Sequence, residues 1–250
     1  MKIERPIVAT LSTPGSSFPK WVNYVTVATA AVSVFMDSVK PFVIREFVLK
    51  YSIQLNKYQL RTDVPRQCPS PSQIAELAPA VEHLDLDRYS GLWYSFATND
   101  PTQPPSGVCS CDRFLWSREK SDGAFISELN IFCNPFGAAY MKLEGVMNVT
   151  GYPGMMREGA PESGASLIPG YVLWVDDDYS ATIRYFCAHD YLGVDVFSSM
   201  QIWTRAPVEA DSHRGIELVK KAHELLHFDN AYLQFTDHGN CDGLKANAKR

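Results

Sequence analysis

The chain has no stretch where Lys and Arg gather, apart from the short tail "KANAKR", and its 23 basic residues are outnumbered by 28 acidic ones, for a net charge of −5. That excludes the electrostatic footprint of a nucleic-acid binder. No uncharged run reaches the ~20 residues a bilayer-crossing helix needs. The most apolar one, "WVNYVTVATAAVSVFM" at 21–36, is 16 residues long. No pair of cysteines has the two-residue spacing of a zinc knuckle, because "CSC" at 109–111 is too tight. No Ser-His-Asp arrangement and no defensible pair of carboxylates is present. The Gly-rich "GYPGMMREG" at 151–159 lacks the strand–turn–helix frame of a phosphate loop.

One motif does have the letters of an enzyme. "HELLH" at 223–227 places two histidines on one helical face with Glu224 between them, as a zinc protease would. A third ligand is needed downstream, yet no glutamate follows Glu224, and the extended-spacing position, residue 233, is Leu. His223 therefore reads as a partly buried residue of a packing face, and no metal or other cofactor is expected.

What is present is hydrophobic material, 46% of residues, with 12% aromatic, enough for a real core in a chain of 250 residues. Six cysteines, Cys68, Cys109, Cys111, Cys133, Cys187 and Cys241, suggest a complete disulfide set in an oxidising compartment. Fifteen pairings are possible for six cysteines. The apolar run at 21–36, with small residues at Ala28–Ala31, suits a signal sequence. A long leader before it and a second apolar stretch, "KPFVIREFVLKYSIQL", keep an anchor or pro-segment open, and with it membrane association. Residues 1–66 are accordingly expected to be a targeting, anchor or pro-segment, 67–243 a folded domain and 244–250 a flexible tail. The sequon Asn148-Val149-Thr150 makes Asn148 a candidate glycosylation site on a secretory route.

From residue 92 the chain reads as short strands separated by turn compositions such as "KSDG", "CNPFG" and "DDDYS". The candidates are 92–98, 111–117, 124–132, 140–149, 171–175, 181–188 and 196–205. The Gly- and Pro-rich interval 151–170 reads as a mobile loop with one short strand near 165–168. A single helix is expected over about 212–228, capped by Ser212 and packing through Ile216, Val219, His223 and Leu226. Eight strands followed by one helix point to an all-β, eight-stranded antiparallel barrel with the helix outside, a β-sandwich being the competitor.

Three short stretches then carry a resemblance. "DRYSGLWYSFA" at 87–97 resembles the first signature of the lipocalins, a glycine-x-tryptophan at the start of the first strand. "AHDYLG" at 188–193 resembles the second, the turn containing Asp190 and Tyr191, with His189 in place of threonine. "IWTRAP" at 202–207 resembles the third, which ends in Arg205. The flanks "CPSPSQ" at 68–73 and "FTDHGNC" at 235–241 are similar to the apolipoprotein D, insecticyanin and bilin-binding group. The resemblance implies an up-and-down lipocalin barrel with Gly91, Trp93 and Arg205 closing one end, the guanidinium stacked on the indole. It implies a secreted or lumenal carrier of a small hydrophobic ligand: lipid, retinoid, carotenoid, sterol or bilin. The alternative is a lipocalin-type enzyme acting on a bound lipid or pigment through a cysteine of the second strand, Cys109 or Cys111. The oligomeric state stays open.

The resemblance also implies disulfides Cys68–Cys187 and Cys109–Cys241, leaving Cys111–Cys133, which a hairpin centred on residue 122 would set opposite each other. Cys133–Cys241 is the other option. Strand parity makes Trp203, Gln201 and Ser199 share a face if Arg205 points inward. With Trp116, Phe125, Tyr140, Trp174 and Tyr185 from other strands, these are the candidate ligand contacts. Met155 and Met156 are expected on a loop bordering the open mouth.

Overall fold

In the computed structural model, residues 65–100, 103, 109–118, 125–133, 139–159, 167–191, 194–228, 230–239 and 241 are described, the backbone alone at 118, 125–133, 139–149, 194 and 231. The expected segment 1–66, apart from its last two residues, and the tail 244–250 lie outside them. Three short helices come first: α1 (Pro71–Leu77), α2 (Ala80–His83) and α3 (Leu86–Tyr89). Eight strands follow: β1 (Gly91–Thr98), β2 (Cys109–Arg118), β3 (Phe125–Cys133), β4 (Ala139–Val149), β5 (Met155–Gly159), β6 (Ile168–Val175), β7 (Ala181–Tyr191) and β8 (Val194–Thr204). Helix α4 (His213–Leu226) and the two-residue strand β9 (Gln234–Phe235) complete the order.

Each strand pairs antiparallel with the next, and β8 pairs back onto β1, so β1 to β8 form a closed ring. Closure removes the exposed edges that a sandwich of the same strands would leave. The strand after β4 is Met155–Gly159, within the expected loop; of the short strand expected near 165–168, residues 165 and 166 lie outside the described residues and Ile168 opens β6. The turn before β5 is tied to α2 by a Gly154 N–H bond to Val81 O of 2.8 Å.

Helix α1 was invisible to periodicity because seven residues make less than two full turns of pattern. Local chemistry nevertheless specifies it. Ser70 caps Gln73 N–H, Gln73 reaches back to Ser70 N–H, and Pro71 opens the first turn. Helix α3 is capped by the Asp85 carboxylate, which accepts from Asp87 N and Arg88 N.

Helix α4 begins where expected, with Ser212 accepting from Gly215 N–H, and ends at His227 in the left-handed conformation, φ 49°. Its packing face is rotated slightly from the expected one: Val219 and Leu226 pack against the barrel as expected, but Ile216 and His223 do not. Gly215, Leu218 and Ala222 are buried against the outer side of the barrel, while Ile216 is 59% exposed and both histidines of "HELLH" face solvent. The helix packs on Ile202 and Met200 of β8, Ile183 of β7 and Phe96 of β1. The glycine sets this register: a Cβ at residue 215 would come within 2.4 Å of Glu209 O, so only this turn of the helix sits against the preceding loop.

Two disulfides staple the flanks to the barrel. Cys68 bonds Cys187 on β7, and Cys111 bonds Cys241 in the tail. The second corrects the expected pairs Cys109–Cys241 and Cys111–Cys133. The β2–β3 register slips between Ser110 and Arg113, so Cys109, not Cys111, lies opposite Cys133. Cys111 sits in that bulge at φ 59°, where its N–H donates to Asp237 O at 2.9 Å and its side chain meets the tail. Cys109 is itself disulfide-bonded. Replacing both Cys111 and Cys241 with serine removes a cross-link spanning 130 residues. We expect a loss of about 2–4 kcal/mol in urea unfolding without reductant, with the Cys68–Cys187 bond retained in the mass map.

Candidate binding site in the barrel interior

The closed end of the barrel is built around Trp93. Its indole is fully buried and donates to Tyr89 O at 2.8 Å, which holds α3 across the end of the ring. The Arg205 guanidinium lies 3.7 Å from the Trp93 ring centroid. The same guanidinium donates to five backbone carbonyls: Leu92 O, Arg88 O, Tyr89 O, Ser90 O and Tyr179 O. Gly91 enters at φ 104°, a left-handed value, and a Cβ there would press on Arg205 Nη1 at 3.2 Å. These residues plug that end of the barrel.

Above the plug the inward faces follow strand parity. Trp203 of β8 stacks on Phe114 of β2 at 4.2 Å and lies 5.6 Å from Trp116, so side chains meet across the barrel. Gln201 and Ser199 share the face of Trp203, both buried. Asp100 lies beside them, its Oδ2 3.4 Å from Ser199 Oγ and 3.5 Å from Gln201 Nε2. Phe186 of β7 and Phe197 of β8 form a further apolar pair next to Tyr191, whose ring meets Phe197 edge-on at 5.0 Å. Asp190 and Tyr191 are the last residues of β7, with Asp190 at φ 53°, so the second signature ends a strand and is not all turn.

The most deeply buried charge inside the barrel was not foreseen. Arg184 of β7 is fully buried and pairs with Glu158 Oε2 of β5 at 2.5 Å. Its guanidinium lies over Trp203 at 4.2 Å and over Trp116 and Phe186 at 4.8 Å each. The signal was available: residue 184 is one of the alternate positions of "ATIRYFCA" that oppose the outward Ile183 and Tyr185. Asp112 of β2 is the second hidden charge. It is 6% exposed, and burial pushes its carboxyl from the ordinary 3.8 up to about 7, with a bond to Ser95 pulling the other way.

Other candidates lie elsewhere. Tyr185 faces outward, buried under α1 with Tyr171, Ile74 and Cys187. Trp174 is also outside, against the cluster beneath α4, because a bulge between Val172 and Trp174 turns both Leu173 and Trp174 outward. Met155 and Met156 do not border the mouth. They are buried in β5, Met155 against α1 and α2, and Met156 beside Trp93 and Tyr89 at the plug. The side chains of Phe125, Tyr140 and Asn148 lie outside the described residues; Asn148 is paired with Arg157 within the β4–β5 ladder.

The thiol-enzyme alternative loses its nucleophile. Cys109 and Cys111 are both in disulfides, so neither offers the thiolate that a nucleophile requires. Among the described residues no three His, Cys, Asp or Glu side chains gather as metal ligands. His238 anchors the tail instead, its Nε2 2.7 Å from Ser95 O.

No protein-family model matches the chain, and no curated protein matches it in sequence. Solved structures do. Lobster apocrustacyanin A1 is 22% identical with a TM-score of 0.54, covering 73% of this chain and 96% of its own. Apocrustacyanins C1 and C2 match over the same shares at 22% identity, with TM-scores of 0.51 and 0.50. These are lipocalins, and the likeness is one of fold: a closed antiparallel barrel with a helix on its flank.

Proposed function

We propose that a lipocalin barrel of this composition serves as an extracellular or lumenal carrier, holding a small hydrophobic molecule on the inner face of β1, β2, β7 and β8. The observation that carries this reading is the closed ring itself, lined by Phe114, Trp116, Phe186, Phe197 and Trp203 and plugged at one end by Trp93 and Arg205. Apolar cargo would gain roughly 25 cal/mol per Å² removed from water, with a few polar contacts fixing its orientation. The two disulfides support an oxidising compartment. Sequence likeness to the bilin-binding group supports a cargo of pigment or lipid class.

Native mass spectrometry of protein from its own source tests this. A small molecule that leaves unchanged on denaturation supports the carrier. In solution, the emission of Trp116 and Trp203 should be quenched as an absorbing hydrophobic probe enters. A barrel isolated empty that also rejects retinoids, fatty acids, sterols and bilins overturns the reading.

A further inference from the structure

Asp112 Oδ1, Trp203 Nε1 and Gln201 Oε1 are buried on the inner face and have no hydrogen-bond partner among the described residues. Backbone register brings them together. Ser95 of β1 is the Cα partner of Trp203 on β8, and Ser95 also bonds the Asp112 side chain from β2. Gln201 lies two residues beyond Trp203 on the same face of β8. Each such atom costs about 1–3 kcal/mol when left unmade. Native interiors contain few of them, so three on the two strands flanking β1 call for a cause.

The β1–β2 register supplies the geometry. Alternation along β2 puts Asp112 on the face of Phe114 and Trp116, and the register that pairs Tyr94 with Arg113 continues to set Asp112 opposite Ser95. A carboxylate thus stands beside Ser95, across β1 from Trp203. Just before it the strand bulges, gaining one residue relative to β3 between Ser110 and Arg113, where Cys111 takes φ 59°. The Cys111–Cys241 bond fixes that bulge in place.

We propose that Asp112, Trp203 and Gln201 form a seat for a hydroxyl group on the cargo, which makes the ligand a hydrophobic alcohol. The inference rests on the carrier reading and narrows it. A hydroxyl both donates one hydrogen bond and accepts two. It accepts from Trp203 Nε1–H and donates to Asp112 Oδ1 or Gln201 Oε1, so one group serves both kinds of vacancy. A ketone or aldehyde only accepts and satisfies the indole alone. A carboxylate lacks a donor and meets the charges of Asp112 and Asp100, while the Arg184 guanidinium is held by Glu158. A plain hydrocarbon satisfies none of the three.

The test is a matched series bound to the full-length oxidised protein at pH 8: retinol, retinal and retinoic acid, then hexadecanol and hexadecanoic acid, followed by tryptophan quenching or competition. We expect the alcohol to bind at least about tenfold more tightly than the acid in whichever series enters the barrel. Asp112→Asn removes the charge but keeps an acceptor, so the acid should gain and the alcohol-to-acid ratio should collapse toward one. Trp203→Phe keeps the ring and removes the donor, so affinity for alcohol and aldehyde should fall together; far-UV circular dichroism checks that each variant is folded. An acid or aldehyde bound as tightly as the alcohol overturns the seat and leaves the carrier standing. If no member of either series binds, the seat falls, and the carrier falls with it when sterols and bilins are rejected too.

Discussion

Arg205→Ala is expected to cost about 3–5 kcal/mol in urea unfolding and to lower Tm by roughly 10 °C. The side chain gives up more than a ring contact. Five carbonyls from β1, the end of α3 and the β6–β7 turn converge on one guanidinium, with Nη2 to Arg88 O at 2.6 Å and Nη1 to Leu92 O at 2.9 Å among them. Hydrogen bonds to a charged donor contribute about 1.5–3 kcal/mol each, though they do not add fully. Truncation would leave carbonyls facing a void beside Trp93, where water has limited access. Lysine is the informative control. It keeps the positive charge but has neither the planar fork nor a flat face for the indole, so Arg205→Lys should recover less than half of the loss. Because the plug lies at the closed end, the alcohol-to-acid preference of residual folded protein should be unchanged in both variants. A loss under about 1 kcal/mol for alanine would mean that α3 and Trp93 close the barrel unaided.

That plug is also the part of the molecule most legible in the sequence. Gly91, Trp93 and Arg205 are specified by chemistry that survives any small error of register: one left-handed position, one large ring and one fork of donors. The closed ring of eight strands was legible for a similar reason, since turn compositions mark hairpins even when strand ends are off by a few residues. Parity along β8 also carried through, because no bulge separates Ser199, Gln201 and Trp203 in its pairing with β7.

Bulges account for much of what was not legible. One in β2 exchanged the roles of Cys109 and Cys111; one in β6 put Trp174 on the outside along with Leu173. A bulge leaves no periodic trace, since a single extra residue costs little in composition and reverses every side chain beyond it. Helix α4 was found from its pattern but rotated, because Ile216 is apolar and exposed while Gly215, which has no hydrophobic signal, makes the closest approach. Met155 and Met156 looked like loop residues because the Gly and Pro around them hid a five-residue strand.

Asp112→Asn should make the empty protein more stable at pH 8, by on the order of 3–4 kcal/mol, and flatten its stability profile between pH 4 and pH 7. The folded-state pKa of Asp112, about 7, lies above its ordinary 3.8. In that window the folded protein keeps a proton that the unfolded chain has released. Stability from this group therefore falls as pH rises from about 4 to 7, at about 1.4 kcal/mol per pH unit, and stays low above 7. Asparagine does not ionise, so the variant lacks this slope. Near pH 4 the two proteins should have similar stability, since both then present a neutral side chain to Ser95. Urea unfolding at pH 4.5, 6 and 8 measures the difference, and the other carboxylates cancel between variant and parent. Parallel profiles would show that water reaches Asp112 and that its burial carries no penalty. A carboxylate that weakens its own empty barrel fits a position kept for binding. On the proposed seat, an alcohol offsets the same penalty, so saturating retinol or hexadecanol, whichever enters the barrel, should raise the parent's unfolding midpoint more at pH 8 than at pH 4.5. In Asp112→Asn that difference between the two pH values should vanish.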